Sequence, residues 1–187
     1  MPNPRLAARY AKSLLDLSVE KDQLEKVYAD MLWLQGVCKS NRDFVMLLRS
    51  PIIKPDTKEK IVAAVTSGKV SELTAAFSRL LIVKARERYL PEIIIAFIAA
   101  YKEKKGIKTI RLTTAITASD ELKNSILEQV KKSAGFSLVE LEEKVDPSLI
   151  GGVILQVDDQ LVDASVAYDL RAIAKQFNNN DFIYKIK

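Results

Sequence analysis

The sequence predicts an N-terminal all-α six-helix bundle over residues 1–105, followed by a small α+β domain over residues 106–187. Up to Lys105, apolar residues recur at three- and four-residue intervals, which is typical of amphipathic helices. After Gly106 they alternate, as in "TIRLTTAI", which is typical of strands. The charge balance changes at the same point, from 19 basic against 12 acidic residues to 10 against 12. We therefore expect two domains that meet different partners.

Start and stop signals divide the first domain into six predicted helices. Pro4 suits the first turn of the first helix, and Asp22 with Glu25 resembles a capping box that opens the second. Asn41 caps the third, Pro55 opens the fourth, Ser71 caps the fifth, and Pro91 lies in the first turn of the sixth. Gly68 and Gly106 follow helix ends, where glycine adopts the left-handed conformation most easily.

The second domain is predicted to run β-α-β-β-β-α. The segment "TIRLTTAI" is a strand, the following helix is capped by Ser119, and "LVELEEKV" alternates as a strand again. The apolar runs "GGVILQV" and "QLV" flank Asp158-Asp159 and predict a hairpin. Ser165 is a candidate cap for the last helix.

Several kinds of chemistry are disfavoured by composition. The chain contains no histidine, the usual general base near neutral pH and the commonest metal ligand. Its single cysteine, Cys38, rules out an internal disulfide and predicts a buried structural thiol. Neither GxxxxGK[ST] nor GxGxxG occurs. We therefore expect no catalytic residue, no cofactor and no metal ion.

The stretch "VDPSLIGGVILQVDDQLVDASV" raises three alternatives. A phosphate loop would open into a helix, but Gly151-Gly152 runs into a strand. A metal site would use Asp158, Asp159 and Asp163, whose spacing lacks the calcium-loop pattern. A tight structural turn is favoured, with one of the two glycines at positive φ. The predicted turn residues are Asp146, Pro147, Gly151, Gly152, Asp163 and Ser165.

The most apolar run, "EIIIAFIAAY", is too short to span a bilayer, and the N-terminus has no apolar signal region. These observations predict a soluble or peripheral protein. The basic first domain leaves open an RNA-binding or regulatory helical adaptor, which would need a contiguous basic face with interleaved aromatic residues. Lysines and arginines instead alternate with acidic residues through all six helices.

Four segments in order carry a family resemblance: "RYAKSL", "LLRSPIIKPDTK", "KARERYLPEI" and "VDPSLIGGVILQVDDQLVDASV". Together they resemble the delta subunit of bacterial F-type ATP synthase, the counterpart of the mitochondrial oligomycin-sensitivity-conferring protein. The chain departs from the family pattern at three turns. Ala85 stands where the family usually has glycine, Asp158-Asp159 replaces Gly-Asp, and Ala164 replaces the glycine of Asp-Gly-Ser. Positive φ is harder to reach at each of these positions.

The resemblance implies a non-catalytic stator subunit, present once per holoenzyme, that couples proton-driven rotation to ATP synthesis. It implies that the helical domain binds the amphipathic N-terminal helix of an alpha subunit. It also implies that the second domain binds the b subunits of the peripheral stalk. The expected location is the cytoplasmic face of the bacterial cell membrane, reached only through the complex, and no nucleic acid is an expected partner.

The resemblance also implies where the helical domain binds the alpha subunit, namely between its first and fifth helices. Spacing selects six candidates on those two helices, Ala8, Ala11, Leu15, Thr74, Phe77 and Leu81, which Arg9 and Lys84 could flank. The alternative is that most of them face the bundle interior, which is equally expected for Phe77 and Leu81. The small side chains of Ala8 and Ala11 would allow a partner helix to approach closely.

Overall fold

The computed structural model describes residues 3–134, 138–157 and 160–178. The chain divides into two compact units, residues 1–105 and 106–187, and each is described by itself. Within the described residues, none of the helices has the length and apolar character that crossing a bilayer requires. The predicted hairpin turn at Asp158-Asp159 lies outside the described residues.

The first unit is helical. Its α-helices are α1 (Pro4–Glu20), α2 (Leu24–Ser40), α3 (Arg42–Arg49), α4 (Pro55–Thr66), α5 (Glu72–Val83) and α6 (Leu90–Lys105), and a 3-10 turn spans Glu87–Tyr89. Polar caps explain three of the starts. The side chain of Asn3 accepts a hydrogen bond from Leu6 N at 3.1 Å, that of Asn41 from Phe44 N at 3.0 Å, and that of Ser71 from Thr74 N at 3.4 Å.

The predicted capping role of Asp22 is wrong. Asp22 has a φ of 51° and ends α1, while Gln23 precedes α2 without a side-chain cap. Gln23 N donates to Ser18 O at 2.8 Å and Asp22 N to Val19 O at 3.0 Å, which is the Schellman arrangement of a helix end. Aspartate tolerates the left-handed conformation better than most residues, so one residue type suits both roles.

Helix α6 forms the centre of the first unit, since α1 and α2 both pack against it. Its buried side chains are Leu90, Ile93, Ile94, Phe97, Ile98 and Tyr101. Burying each large apolar side chain contributes about 1.5–3 kcal/mol relative to exposure. The most apolar run of the sequence therefore forms the core of the helical unit.

Ion pairs join the two central segments of the sequence resemblance. Lys58 is 3% exposed, and its Nζ donates to Glu87 Oε1 at 2.6 Å and to Leu48 O at 3.1 Å. Arg49 donates to Glu92 Oε1 at 3.2 Å. A buried lysine needs such partners because an unpaired buried charge is strongly destabilising. These residues therefore hold α3, α4 and the start of α6 together.

The second unit contains a four-stranded mixed sheet. Its elements are β1 (Ile107–Thr114), α7 (Asp120–Ala134), β2 (Leu138–Val145), a 3-10 turn (Pro147–Leu149), β3 (Gly152–Val157), β4 (Gln160–Ser165) and α8 (Val166–Asn178). The strand order is β2-β1-β3-β4. Strand β1 runs parallel to β2 and antiparallel to β3, and β3 pairs antiparallel with β4. The parallel pair is joined through α7, as a crossover connection requires.

The core of the second unit is small. Leu112, Ala118 and Ile126 are buried together, and Leu141 and Leu155 are partly buried against them. Lys123 on α7 pairs with Glu143 on β2 at 2.8 Å, and Glu143 also accepts from Ala118 N at 2.8 Å. These contacts fasten α7 to one face of the sheet and leave much apolar surface elsewhere.

Candidate partner-binding surfaces

The described residues contain no group of three or more acidic or cysteine side chains that could hold a metal ion. Cys38 is a half-buried free thiol whose pKa is raised, first by burial and then by the nearby charge of Glu92. A raised pKa lowers the thiolate fraction, so this cysteine is a poor nucleophile.

Helices α1 and α5 do meet, as the predicted groove requires. The rings of Tyr10 and Phe77 contact each other edge to face, with centroids 6.4 Å apart. However, most of the predicted groove residues are buried in the helical unit itself: Ala11, Leu15, Thr74, Phe77 and Leu81. Only Ala8, Arg9 and Lys84 of that set are exposed.

Thr74 makes its polar contacts within the helical unit. Its Oγ1 donates to Asp30 Oδ2 at 2.7 Å. Asp30 Oδ2 also accepts from Ser71 N at 2.8 Å and from Ser71 Oγ at 2.6 Å. Asp30 thus holds the start of α5 against α2. Ala11 is 1% exposed, so a bulky residue there would disrupt packing, and the predicted surface role of Ala11 is wrong.

The apolar residues that α1 and α5 do expose are not among the predicted groove residues. Leu80 and Val83 on α5 are 45% and 66% exposed, and Leu17 on α1 is 37% exposed. Leu80 and Val83 lie three residues apart and so share one face of α5. Sequence spacing alone could not select them, because both faces of α5 carry apolar residues at helical intervals.

A pocket of about 360 Å³ lies at the start of α1. It is lined by Asn3, Arg5, Leu6, Arg9, Tyr10 and Arg86. Arg9 is the only predicted site residue there. Arg86 comes from the turn after α5, where Ala85 adopts a φ of 53°. Arg86 N donates to Leu81 O at 2.7 Å, so this left-handed turn fixes where Arg86 leaves the helix.

In the second unit, the predicted turn residues form an interlocked structure around Gly152. Asp146 Oδ1 accepts from Ser148 N at 3.0 Å and from Ser148 Oγ at 2.6 Å, and these bonds lower the pKa of Asp146. Pro147 opens the 3-10 turn that follows. Gly152 has a φ of 76°, and a Cβ there would lie 2.2 Å from Ala164 O.

The end of β4 completes this turn structure. Asp163 Oδ1 accepts from Ser165 N at 3.0 Å, and hydrogen bonding to Ser165 lowers the pKa of Asp163. The buried Ser165 caps α8, since its Oγ accepts from Tyr168 N at 3.2 Å. Gly151 O accepts from Val166 N at 3.1 Å. These side chains make turn and helix-cap contacts, so their role is to stabilise the turn.

The exposed surface beside this turn is apolar. On α8, Val166, Tyr168, Leu170 and Ile173 are exposed, and on the edge strand β4, Leu161 and Val162 are exposed. A hollow of about 480 Å³ is lined by Ser148, Leu149, Ile150, Ala167, Leu170 and Arg171. Ile150 is exposed at a φ of 66°, an unusual conformation for a β-branched residue. Exposed apolar surface of this extent is typical of a protein-binding site.

Comparison with known proteins points to one family. The family model of the ATP synthase delta (OSCP) subunit matches residues 6–177. The ATP synthase subunit delta of Cytophaga hutchinsonii is 37% identical over 184 residues, which cover 98% of this chain and 100% of that protein. The corresponding subunit of Lactobacillus gasseri is 35% identical over 175 residues, covering 94% and 96%.

A solved structure shares the fold. A chain of the Toxoplasma gondii mitochondrial ATP synthase hexamer, determined by cryo-electron microscopy, superposes with a TM-score of 0.74 at 24% identity. The match covers 92% of this chain and 97% of that one. From the family match and the relatives that align along almost their whole length, the chain belongs to the ATP synthase delta (OSCP) subunit family.

Proposed function

We propose that this protein is a non-catalytic subunit of an ATP synthase that links the catalytic hexamer to the peripheral stalk. The single observation that carries the proposal is the family match over residues 6–177, which spans both units. A link of this kind holds the hexamer still while the rotor turns. It requires two binding surfaces and slow dissociation rather than a reactive side chain.

The helical unit is proposed to bind the N-terminal helix of an alpha subunit. Its six helices would act as one bundle that presents α1 and α5. The support is the exposed apolar side chains of Leu80, Val83 and Leu17, which an amphipathic helix could cover. The five buried residues predicted earlier would then support the surface from beneath.

The second unit is proposed to bind the b subunits of the stalk through α8 and β4. The support is the run of exposed apolar residues on α8 together with the hollow beside Ile150. One copy would serve each holoenzyme. The protein would lie at the cytoplasmic face of the bacterial membrane, held there only by its partners in a proton-coupled complex.

A pair of matched variants tests the two assignments in the full-length protein. Leu80→Asp with Val83→Asp should weaken binding to catalytic hexamers depleted of this subunit, and should leave binding to a soluble b fragment unchanged. Leu170→Asp with Ile173→Asp should do the reverse. All four positions are exposed, so both variants should keep the wild-type melting temperature within a few degrees. Equal loss of both partners in each variant would contradict the assignment of surfaces.

The basic helical adaptor for RNA is not favoured by the family relationship. A gel-shift titration with unstructured RNA at physiological salt gives a simple check. The proposal expects only weak binding that disappears as salt rises, because any such binding would rest on phosphate charge alone.

A further inference from the structure

We propose that Arg5, Arg9 and Arg86 form a carboxylate-binding pocket that takes an acidic side chain of the helix bound by α1 and α5. All three side chains line the same pocket of about 360 Å³, together with Asn3, Leu6 and Tyr10. The inference rests on the proposed function and adds to it the chemistry by which the partner is recognised.

The three arginines have no acidic partner among the described residues. Some other surface arginines of the described residues are paired: Arg49 with Glu92, Arg79 with Glu59 and Arg111 with Glu142. Arg5 and Arg9 lie four residues apart on one face of α1, where like charges repel. Arg86 adds a third positive charge from a distant part of the chain. Such a grouping is unfavourable by itself and favourable once an anion is bound.

The start of α1 adds to the positive potential. The helix is 17 residues long, and its first turn carries no acidic residue. Backbone N–H groups at a helix start attract negative charge, and acidic residues are therefore common at this position. Here Arg5 occupies the first turn instead. The neutral side chain of Asn3 accepts from Leu6 N at 3.1 Å, but no acidic side chain of the first turn offsets the positive charge.

The walls of the pocket favour a polypeptide carboxylate over a phosphodiester chain. Leu6 and Tyr10 supply apolar surface, and the Tyr10 ring continues to Phe77 on α5. A nucleic acid would need a basic track along the helix. After Lys12, however, the next charged residue of α1 is Asp16. An amphipathic helix with an acidic residue beside its apolar face matches both the charge and the apolar wall, and arginine binds carboxylates with two parallel hydrogen bonds.

The turn at Ala85 gives the pocket its third arginine. Ala85 N donates to Ile82 O at 2.9 Å and Arg86 N donates to Leu81 O at 2.7 Å, which ends α5 sharply. Arg86 thereby reaches the start of α1 instead of continuing along the α5 axis. We thus assign Arg86, within the segment "KARER", a role in partner recognition.

The test uses full-length protein and measures binding to catalytic hexamers depleted of this subunit, with a synthetic peptide of the alpha N-terminus as a second probe. Arg9→Gln combined with Arg86→Gln should weaken binding more than tenfold. Lys12→Gln is the matched control, since Lys12 is an exposed basic residue of α1 outside the pocket. It should change the affinity less than twofold. Wild-type affinity should fall as salt rises, and the double variant should lose much of that dependence.

A charge exchange makes the test specific. Arg9→Glu should abolish peptide binding, and a peptide in which an acidic residue is replaced by lysine should restore part of it. Unchanged affinity of the double variant, with wild-type binding intact, would overturn the pocket alone. If wild-type protein binds neither probe, the proposed function is wrong, and the assignment of the alpha-subunit helix to the pocket is wrong as well. Loss of binding to anionic vesicles or RNA, but not to hexamers, would reassign the pocket to phosphate groups and overturn the proposal.

Discussion

Gly152 combines two features that a side chain would disturb. Its φ of 76° is a conformation that L-residues rarely adopt, and a Cβ would lie only 2.2 Å from the backbone oxygen of Ala164. Gly152→Ala should therefore destabilise the second unit by about 1–3 kcal/mol, because β3 and β4 would have to separate locally. Urea unfolding followed by a probe in the second unit measures the change.

Gly151→Ala is the matched control for this substitution. Its Cβ would meet only Cγ2 of Val166, at 3.3 Å, and its φ is not left-handed. A side-chain methyl can move by a few tenths of an ångström, so we expect a loss below about 1 kcal/mol. Equal losses at both glycines would show that the turn is not what makes Gly152 sensitive.

Ala85 is a position where the chain can be improved. It has a φ of 53°, and left-handed backbone is unfavourable for alanine by about 1–2 kcal/mol. Ala85→Gly should therefore stabilise the helical unit by about 1 kcal/mol, seen as a higher melting temperature. Ala76→Gly, at an exposed position inside α5, should instead destabilise by about 1 kcal/mol. A loss of stability in both variants would argue against strain at Ala85.

The contrast between these residues shows what single positions reveal. The sequence predicted that one of Gly151 and Gly152 holds positive φ, because paired glycines before a strand suggest a sharp bend. It could not choose between them, since the choice depends on how closely β4 approaches. Asp22 was assigned wrongly because aspartate suits both a helix start and a left-handed helix end.

At the scale of elements, a cluster of contacts joins the start of α2 to the end of α6. Tyr101 OH donates to Glu25 Oε2 at 2.7 Å, Lys105 pairs with Glu25 Oε1 at 2.6 Å, and the Tyr28 ring stacks on Tyr101 at 3.8 Å. Burial and, after it, the hydrogen bond to Glu25 raise the pKa of Tyr101 to about 12. The hydrogen bond from Lys105, followed by that from Tyr101, lowers the pKa of Glu25.

The raised pKa of Tyr101 predicts a pH dependence of stability. Between its ordinary value of 10.0 and about 12, the unfolded chain releases the phenol proton while the folded chain keeps it. The contribution of Tyr101 to the free energy of unfolding is therefore fully present below pH 10 and is lost as the pH rises towards 12. Tyr101→Phe should make the fall in melting temperature over this range shallower. The exposed Tyr168→Phe is the control, and an unchanged slope in Tyr101→Phe would contradict the assignment.

The helical elements were more predictable than the surfaces they present. Asn41, Pro55 and Ser71 carry local start signals, and the structure begins α3, α4 and α5 beside them. Periodicity also indicates that α1 and α5 have apolar stripes. It does not indicate which apolar stripe faces the core. Ala11 and Leu81 lie on stripes that face the core and are buried there. That choice depends on α6 and on the Asp30 contact, which join residues far apart in sequence.

At the scale of the whole chain, we predict that residues 1–105 fold alone. The buried face of α6 is covered by α1 and α2, which belong to the same unit. The fragment should show a helical circular dichroism spectrum and a single cooperative melt. A broad, non-cooperative melt would mean that the helical unit needs the second one for its stability.

The division of the chain was accessible from sequence because periodicity, charge and a glycine all change together near residue 106. The arginine pocket was not accessible in this way. Arg5 and Arg86 are separated by most of the helical unit, and only the folded arrangement of α1 and α5 brings them together. Contacts of that range carry no local signal in a single sequence.

The strand β1 begins directly after Gly106, so a mechanical pull on the helical unit enters the sheet along β1. This strand is paired on both sides, with β2 over Ile107–Thr114 and with β3 over Ile110–Thr114. Tension along its axis therefore loads two ladders in shear, and their hydrogen bonds must yield together rather than one after another. In a subunit held against rotary torque, mechanical failure depends on the rate of forced unfolding. A strand that is paired on both sides, at the point where the force enters the sheet, lowers that rate.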